Sequence, residues 1–74
     1  MRYIEMERRG KMIADKIKQY RIAAGLTQAE MAHSLEASQN TISQYETGKR
    51  TPTIKNLIKI SALLGCSVDD LTTE

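Results

Sequence analysis

The amide and serine side chains between residues 38 and 44 are the residues best suited to chemistry in this sequence. Gln39, Asn40 and Gln44 carry amides that donate and accept hydrogen bonds, and Ser38 and Ser43 carry hydroxyls. An amide can form two parallel hydrogen bonds with adenine, and a good pair discriminates against the wrong base by about 1–3 kcal/mol. A helix face that meets only solvent has a similar composition, so the surrounding elements must decide between the two interpretations.

A helix is needed to present these side chains, and Ser38 is a candidate N-cap for it. Ile42 and Tyr45 lie three residues apart and predict its inward face, which leaves the amides on the other sides. We expect this helix to end at Tyr45 or Glu46 and Gly48 to stop it.

A shorter helix is predicted just before it. The sequence Thr-Gln-Ala-Glu at residues 27–30 has the pattern of a capping box, and the helix is expected to end near Leu35. Met31 and Ala32 are its predicted inward residues. Two short helices joined by a three-residue turn are the helix-turn-helix signature, in which the second helix enters the major groove of DNA.

Three further helices are predicted around this pair. Apolar residues at helical spacing, Ile13, Ile17, Tyr20 and Ala24, indicate a helix over residues 12–24 that Gly25 ends. A fourth runs from a Thr53 cap to Leu64, with Leu57, Ile60 and Leu64 as its core stripe and Ile58 or Leu63 flanking it. Ser67 and Asp70 suggest a capping box for a short fifth helix. Because strand patterns and hairpin turns are scarce, the expected fold class is all-α.

Composition excludes several classes of protein. The net charge is only +2, although residues 1–25 hold seven basic and three acidic side chains. Cys66 is the single cysteine and His33 the single histidine, so neither a disulfide within the chain nor a metal cluster is expected. We interpret Cys66 as a small core residue and His33 as solvent-facing. With no apolar segment long enough to span a membrane, no secretory signal and no nucleophile–base pattern, we expect a cytoplasmic protein that is not an enzyme and needs no cofactor.

The wider sequence resembles the Cro/CI-type, lambda-repressor-like helix-turn-helix family of DNA-binding proteins over roughly residues 12–71. Its most specific parts are L-T-Q at 26–28, T-I-S at 41–43, Y-E-T-G-K-R-T-P at 45–52 and L-L-G-C-S-V-D-D-L at 63–71. This resemblance implies a compact five-helix domain that binds operator DNA, usually as a dimer. It therefore favours the base-binding interpretation of the helix that follows Ser38.

The resemblance also assigns roles to individual residues. Base-reading side chains fall on Gln39, Asn40 and Gln44, with Ser43 within reach on the same face. Contacts to phosphates fall on Gln28, Thr41, Lys49, Arg50 and Thr53, and Gln28 can also brace Gln39. We call the helix that follows Ser38 the reading helix. It has no arginine that could form paired hydrogen bonds with guanine, so a weak preference for A·T-containing half-sites is expected.

Three other positions carry structural expectations. The family pairs the residues at Arg21 and Glu46 as a partly buried ion pair between the first and third helices, so neither is expected to contact DNA. Glycine is usual at the position of Glu36, because the bend often needs a positive backbone φ that costs a non-glycine residue about 1–2 kcal/mol. Glu36 is therefore expected to be a strained hinge.

Residues 1–11 are expected to form a charged N-terminal extension to the domain at residues 12–74. This extension could be a disordered arm, a basic tail that touches phosphate, or a dimerising segment. The function expected from the resemblance is sequence-specific DNA binding by a repressor-type regulator, acting as a homodimer on a pseudo-palindromic operator. The rival hypothesis is a protein-interaction adaptor or antitoxin with the same fold, and an anti-repressor or toxin is a conceivable protein partner.

Overall fold

The computed structural model describes the backbone of residues 2–73 and the side chains of residues 12–73. Helices account for all the regular structure in residues 2–73, in agreement with the all-α, five-helix prediction. They are α1 (Arg2–Ala23), α2 (Gln28–Ser34), α3 (Gln39–Thr47), α4 (Ile54–Leu64) and α5 (Val68–Thr72).

Helix α1 is longer than the apolar pattern predicts. Its backbone is helical from Arg2, whereas the periodicity indicates a start at Met12. The side chains of residues 1–11 lie outside the described part, so the three interpretations of the extension, and its separation from the domain at residues 12–74, stay predictions. Within residues 2–73, no helix combines the length and the apolarity that crossing a membrane requires.

A left-handed glycine ends α1 as predicted. Gly25 has a φ of +74°, a conformation that glycine adopts without the steric cost of a Cβ. Its amide donates to the carbonyl of Ile22 at 3.0 Å, and the Leu26 amide donates to the carbonyl of Arg21 at 3.1 Å. These two bonds satisfy carbonyls that the end of the helix leaves free, and they turn the chain towards α2.

Each of the four later helices begins at the predicted cap. In α2, the Thr27 hydroxyl accepts from the Glu30 amide at 3.0 Å, and the Glu30 carboxylate accepts from the Thr27 amide at 2.9 Å. Ser67 and Asp70 form the same reciprocal pair in α5. These hydrogen bonds lower the pKa of Glu30, and they lower the pKa of Asp70 with a smaller contribution from the charge of Lys16. Ser38 and Thr53 cap α3 and α4, so short-range capping fixes where these helices start.

The core takes one fully buried side chain from each helix. Ile17, Met31, Ile42, Ile60 and Leu71 each have 0% of their surface exposed. Fully burying such a side chain contributes about 1.5–3 kcal/mol, so no helix can leave the assembly without losing a large part of the core. Helix α1 packs against α3, α4 and α5, and α2 packs against α3.

The predicted inward residues are mostly correct. Ala32, Tyr45, Leu57 and Leu64 join the core, whereas Ile13, Tyr20 and Leu63 are half-buried against its edge. Ala24 is exposed, so its inclusion in the core pattern was wrong. It lies beyond the last residue of α1, where the helical spacing no longer sets the direction of the side chain.

The turn between α2 and α3 contains the strained residue that the sequence indicates. Helix α2 ends at Ser34, so four residues separate the helices, one more than predicted. Glu36 has a φ of +54°, and among the described residues it is the non-glycine with a positive φ. The Ala37 amide donates to the carbonyl of Ala32 at 2.9 Å, which closes the turn directly beyond Glu36.

Replacing Glu36 with glycine should raise the stability of the domain. The left-handed backbone costs a non-glycine residue about 1–2 kcal/mol, and the greater freedom of unfolded glycine returns part of that, so a net gain of up to about 1 kcal/mol is expected. A thermal unfolding midpoint several degrees above the parent would be the observation. The control is Ala62→Gly in α4, where the exposed position is helical and the midpoint should fall. Equal losses in both variants would show that Glu36 is not strained.

Candidate nucleic-acid interface

Helix α3 presents a polar face outward. Gln39 and Asn40 are exposed, and Ser43 and Gln44, one turn further along, are half-buried. Residues four apart lie above one another on a helix, so Gln39 stacks with Ser43 and Asn40 with Gln44. The structure thus brings the four predicted base-reading residues onto one surface.

The opposite face of α3 anchors it in the domain. Ile42 is fully buried, Tyr45 is 6% exposed, and Glu46 is buried as well. The Tyr45 hydroxyl accepts from the side-chain Nδ2 of Asn56 in α4 at 3.2 Å. This bond between neighbouring helices is absent from the sequence predictions, because eleven residues separate the partners and no local spacing relates them.

An ion pair ties α3 to α1 as the family resemblance implies. Arg21 Nε donates to Glu46 Oε2 at 2.6 Å, and Arg21 Nη2 donates to Glu46 Oε1 at 3.0 Å. The third guanidinium nitrogen, Nη1, donates to the carbonyl of Leu26 at 2.8 Å. The Arg21 side chain is 11% exposed and that of Glu46 only 2%, so the pair is buried. The hydrogen bonds to Glu46 raise the pKa of Arg21 further above its already high value.

Gln28 joins this pair from the first position of α2. It is half-buried, and its Nε2 donates to Glu46 Oε1 at 3.1 Å. The resemblance suggests Gln39 as the residue that Gln28 braces, but in the structure the hydrogen-bond partner of the Gln28 amide is Glu46. Its contact with phosphate stays a prediction, and sequence spacing gives no sign of the bond to Glu46.

The predicted phosphate-binding residues beyond α3 lie on the turn that leads into α4. Lys49 and Arg50 are exposed there, and the Arg50 amide donates to the carbonyl of Gln44 at 3.2 Å. The Thr53 hydroxyl accepts from the backbone N–H of Asn56 at 3.2 Å, which leaves its own hydrogen free to donate. Thr41, at the other end of α3, is half-buried with its hydroxyl 2.9 Å from that of Ser38.

The two residues interpreted as non-functional lie where expected. His33 is exposed on α2. Cys66 is half-buried against the core, and desolvation, with a smaller contribution from the charge of Asp70, raises the pKa of its thiol, which disfavours the reactive thiolate. In the part of the chain whose side chains are described, no three His, Cys, Asp or Glu residues come together in a way that could hold a metal ion.

Two short helices packed through Met31 and Ala32, with the second presenting a polar face, define a helix-turn-helix domain. The sequence pattern of the helix-turn-helix family matches residues 17–71, and the chain belongs to this family. The resemblance to its Cro/CI-type members is thereby confirmed.

Individual relatives agree with this membership. The chain is 37% identical over 59 residues to the cryptic phage CTXphi transcriptional repressor RstR of Vibrio cholerae, covering 80% of this chain and 53% of RstR. It is also 37% identical over 57 residues to an uncharacterized HTH-type transcriptional regulator of Methanocaldococcus jannaschii, covering 77% of this chain and 86% of that protein. The chain therefore spans about half the length of RstR and most of the archaeal protein.

A solved structure supports the fold. The crystal structure of the hypothetical transcription factor NHTF from Neisseria superposes with a TM-score of 0.82 at 22% identity, covering 88% of this chain and 75% of that one. At this identity the likeness shows the arrangement of the helices alone.

Breaking the buried ion pair from one side should cost more stability than removing it from both. Arg21→Met or Glu46→Leu alone leaves a buried charge without its partner and should destabilise the domain by about 3–5 kcal/mol. The double variant removes both charges, so its loss should be smaller than the larger single loss. Urea unfolding of the four proteins measures this, with Lys18→Met at an exposed position of α1 as the control. A double loss equal to the sum of the single losses would contradict the role assigned to the pair.

Proposed function

We propose that this chain is a sequence-specific double-stranded DNA-binding transcriptional regulator, of the repressor type, that places α3 in the major groove. The observation that carries the proposal is the outward face of α3, where Gln39, Asn40, Ser43 and Gln44 lie together opposite a buried anchor. In a helix-turn-helix domain the N-terminal residues of the second helix reach the base edges. Family membership and the similarity to the transcriptional repressor RstR support the same function.

Side-chain chemistry supports the base-reading assignment that the family resemblance implies. Gln39, Asn40 and Gln44 can each pair with N6 and N7 of adenine, and the Ser43 hydroxyl can accept from or donate to any base. Helix α3 contains no arginine, the side chain that most often forms two parallel hydrogen bonds with guanine. The surface therefore favours half-sites that contain A·T pairs.

Phosphate contacts would flank the reading helix on both sides. Lys49 and Arg50 supply the charge, and Gln28, Thr41 and Thr53 supply neutral donors. Exposed lysine and arginine on one turn suit the release of counterions from a phosphate backbone, so affinity should fall steeply with salt. This arrangement fixes the register of the protein on the duplex and leaves discrimination to α3.

A homodimer is the assembly that this function requires. One reading helix covers only a few base pairs, so useful specificity calls for two copies on a pseudo-palindrome with half-sites about 34 Å apart. We also propose that the protein acts in the cytoplasm and is not an enzyme. The chain is similar to the repressor RstR but spans only about half of its length, so the repressor role is part of this proposal.

The adaptor or antitoxin alternative would need an apolar patch on the face of α3. The large exposed apolar side chains among the described residues are Ile22, Ile54 and Ile58, which lie on α1 and α4. The outward face of α3 is polar, so protein capture by this surface is the weaker candidate. An anti-repressor bound elsewhere is compatible with either function.

Selection from a pool of random DNA duplexes tests the assignment of the base-reading residues. The parent should enrich one family of related half-sites, and the triple variant Gln39→Ala/Asn40→Ala/Gln44→Ala should lose that preference, because each amide pair contributes about 1–3 kcal/mol of discrimination. Gln19→Ala/His33→Ala removes exposed polar groups outside α3 and should select the parent's sequences. If the folded triple variant enriches the parent's sequences, other residues read the bases. No enrichment by the parent at low salt would favour the adaptor.

The salt dependence of binding tests the phosphate contacts. Lys49→Gln/Arg50→Gln removes two charges per protomer from the predicted contact surface, so the slope of log affinity against log salt should become shallower by about 1.8 per protomer, or about 3.6 for the proposed dimer. Lys18→Gln/Lys59→Gln removes two exposed charges from α1 and α4 and should leave the slope near the parent value. Equal changes in both variants would mean that net charge alone, and not contact at this turn, governs the binding.

A further inference from the structure

The carboxylate of Glu46 does more than neutralise Arg21. Its Oε1 accepts two hydrogen bonds, from Arg21 Nη2 at 3.0 Å and from Gln28 Nε2 at 3.1 Å. The bond to Gln28 crosses from α3 to the first residue of α2 and is not needed to satisfy the carboxylate, because Arg21 already bonds both oxygens. The bond therefore matters for Gln28 more than for Glu46.

An ionised carboxylate accepts hydrogen bonds and donates none, so it distinguishes the two ends of a glutamine amide. With Nε2 turned towards Glu46, one N–H of Gln28 is occupied and the second N–H on the same nitrogen stays available. A flipped amide would place Oε1 against the carboxylate, where two acceptors repel. Glu46 thus holds the amide in one of its two orientations.

That orientation suits a phosphate. Phosphate oxygens under neutral conditions act as acceptors, so a side chain that binds them must present a donor. Gln28 is half-buried at the first position of α2, and its side chain bonds to Glu46 of α3. The position of its free N–H is therefore fixed relative to the domain. Fixing a donor before binding reduces the ordering cost that a mobile side chain would incur.

We propose that Glu46 is a positioning residue for DNA binding, which orients the Gln28 amide so that its second N–H meets a backbone phosphate. This inference rests on the proposed function and assigns Glu46 a role that acts only through Gln28. The same carboxylate then links the ion pair that holds α3 on α1 to a donor at the start of α2. Docking of the reading helix and presentation of the phosphate donor depend on one group.

A double-mutant cycle on DNA affinity separates positioning from a purely structural role. Glu46→Gln supplies an amide that can donate to Gln28 Oε1 and so permits the flipped orientation. Against a random-sequence duplex, this change should weaken binding about three- to tenfold when Gln28 is present, which is the worth of one ordinary hydrogen bond. In a Gln28→Ala background it should weaken binding less than twofold. Arg21→Lys is the matched control, because it perturbs the ion pair but keeps the carboxylate.

The outcomes distinguish a failure of this inference from a failure of the proposed function. Equal losses from Glu46→Gln in both backgrounds would show a structural role alone and overturn the proposal. Full affinity in Gln28→Ala would also overturn it while leaving DNA binding intact. Failure of the parent to bind any duplex at low salt would instead remove the proposed function.

A measurement on the parent protein covers the case in which Glu46→Gln does not fold. The two side-chain N–H signals of Gln28 can be followed by nuclear magnetic resonance, with the exposed Gln19 amide as the reference. One Gln28 proton should exchange slowly in the free protein, and the other should shift when duplex is added. Two Gln28 protons that exchange as fast as those of Gln19, or no shift with duplex, would overturn the proposal.

Discussion

The buried contact between Arg21 and Glu46 is the constraint on which the arrangement of the other helices depends. A carboxylate with a 2% exposed side chain costs several kcal/mol of lost hydration unless its partners are well placed. Here Arg21 bonds both carboxylate oxygens and also the carbonyl of Leu26 in the turn that follows α1. Hydrogen bonds are directional, whereas apolar contacts tolerate sliding, so this cluster sets the angle between α1 and α3 more sharply than the core can.

The small core explains why such a constraint is useful. It has neither Phe nor Trp, and apart from Tyr45 it joins the five helices through aliphatic side chains and one methionine that could pack in more than one way. Hydrophobic burial supplies most of the stability, whereas a single well-ordered packing also depends on precise complementarity. The ion pair and the Tyr45–Asn56 bond supply directional contacts between helices that favour one packing. A surface that reads base edges needs this selection, because displaced amides would meet the wrong groups.

The features that the sequence predicts are those that depend on near neighbours. The caps at Thr27, Ser38, Thr53 and Ser67 rely on partners three residues away, and the apolar stripes repeat within one helix. Where helical spacing no longer applied, prediction was less accurate, as at Ala24. The Arg21–Glu46 pair was predicted from the family resemblance and not from spacing, because twenty-five residues separate its partners. The bond between Gln28 and Glu46 has no local signature and emerges only when α2 and α3 are packed together.

Glu36 shows how this packing overrides a local preference. Its backbone is left-handed, and an acidic residue just after α2 also faces the negative end of that helix, so both local effects are unfavourable. Its side chain is exposed and makes no hydrogen bond or ion pair within the described residues that would offset them. On the two sides of the turn, however, Met31 and Ile42 are fully buried, and the Ala37 amide bonds Ala32. Moving Glu36 to a relaxed conformation would swing α3 off the core and break its bonds to Arg21. That loss is several times the strain of one residue, so the position of α3 dictates the backbone at Glu36 whatever residue stands there.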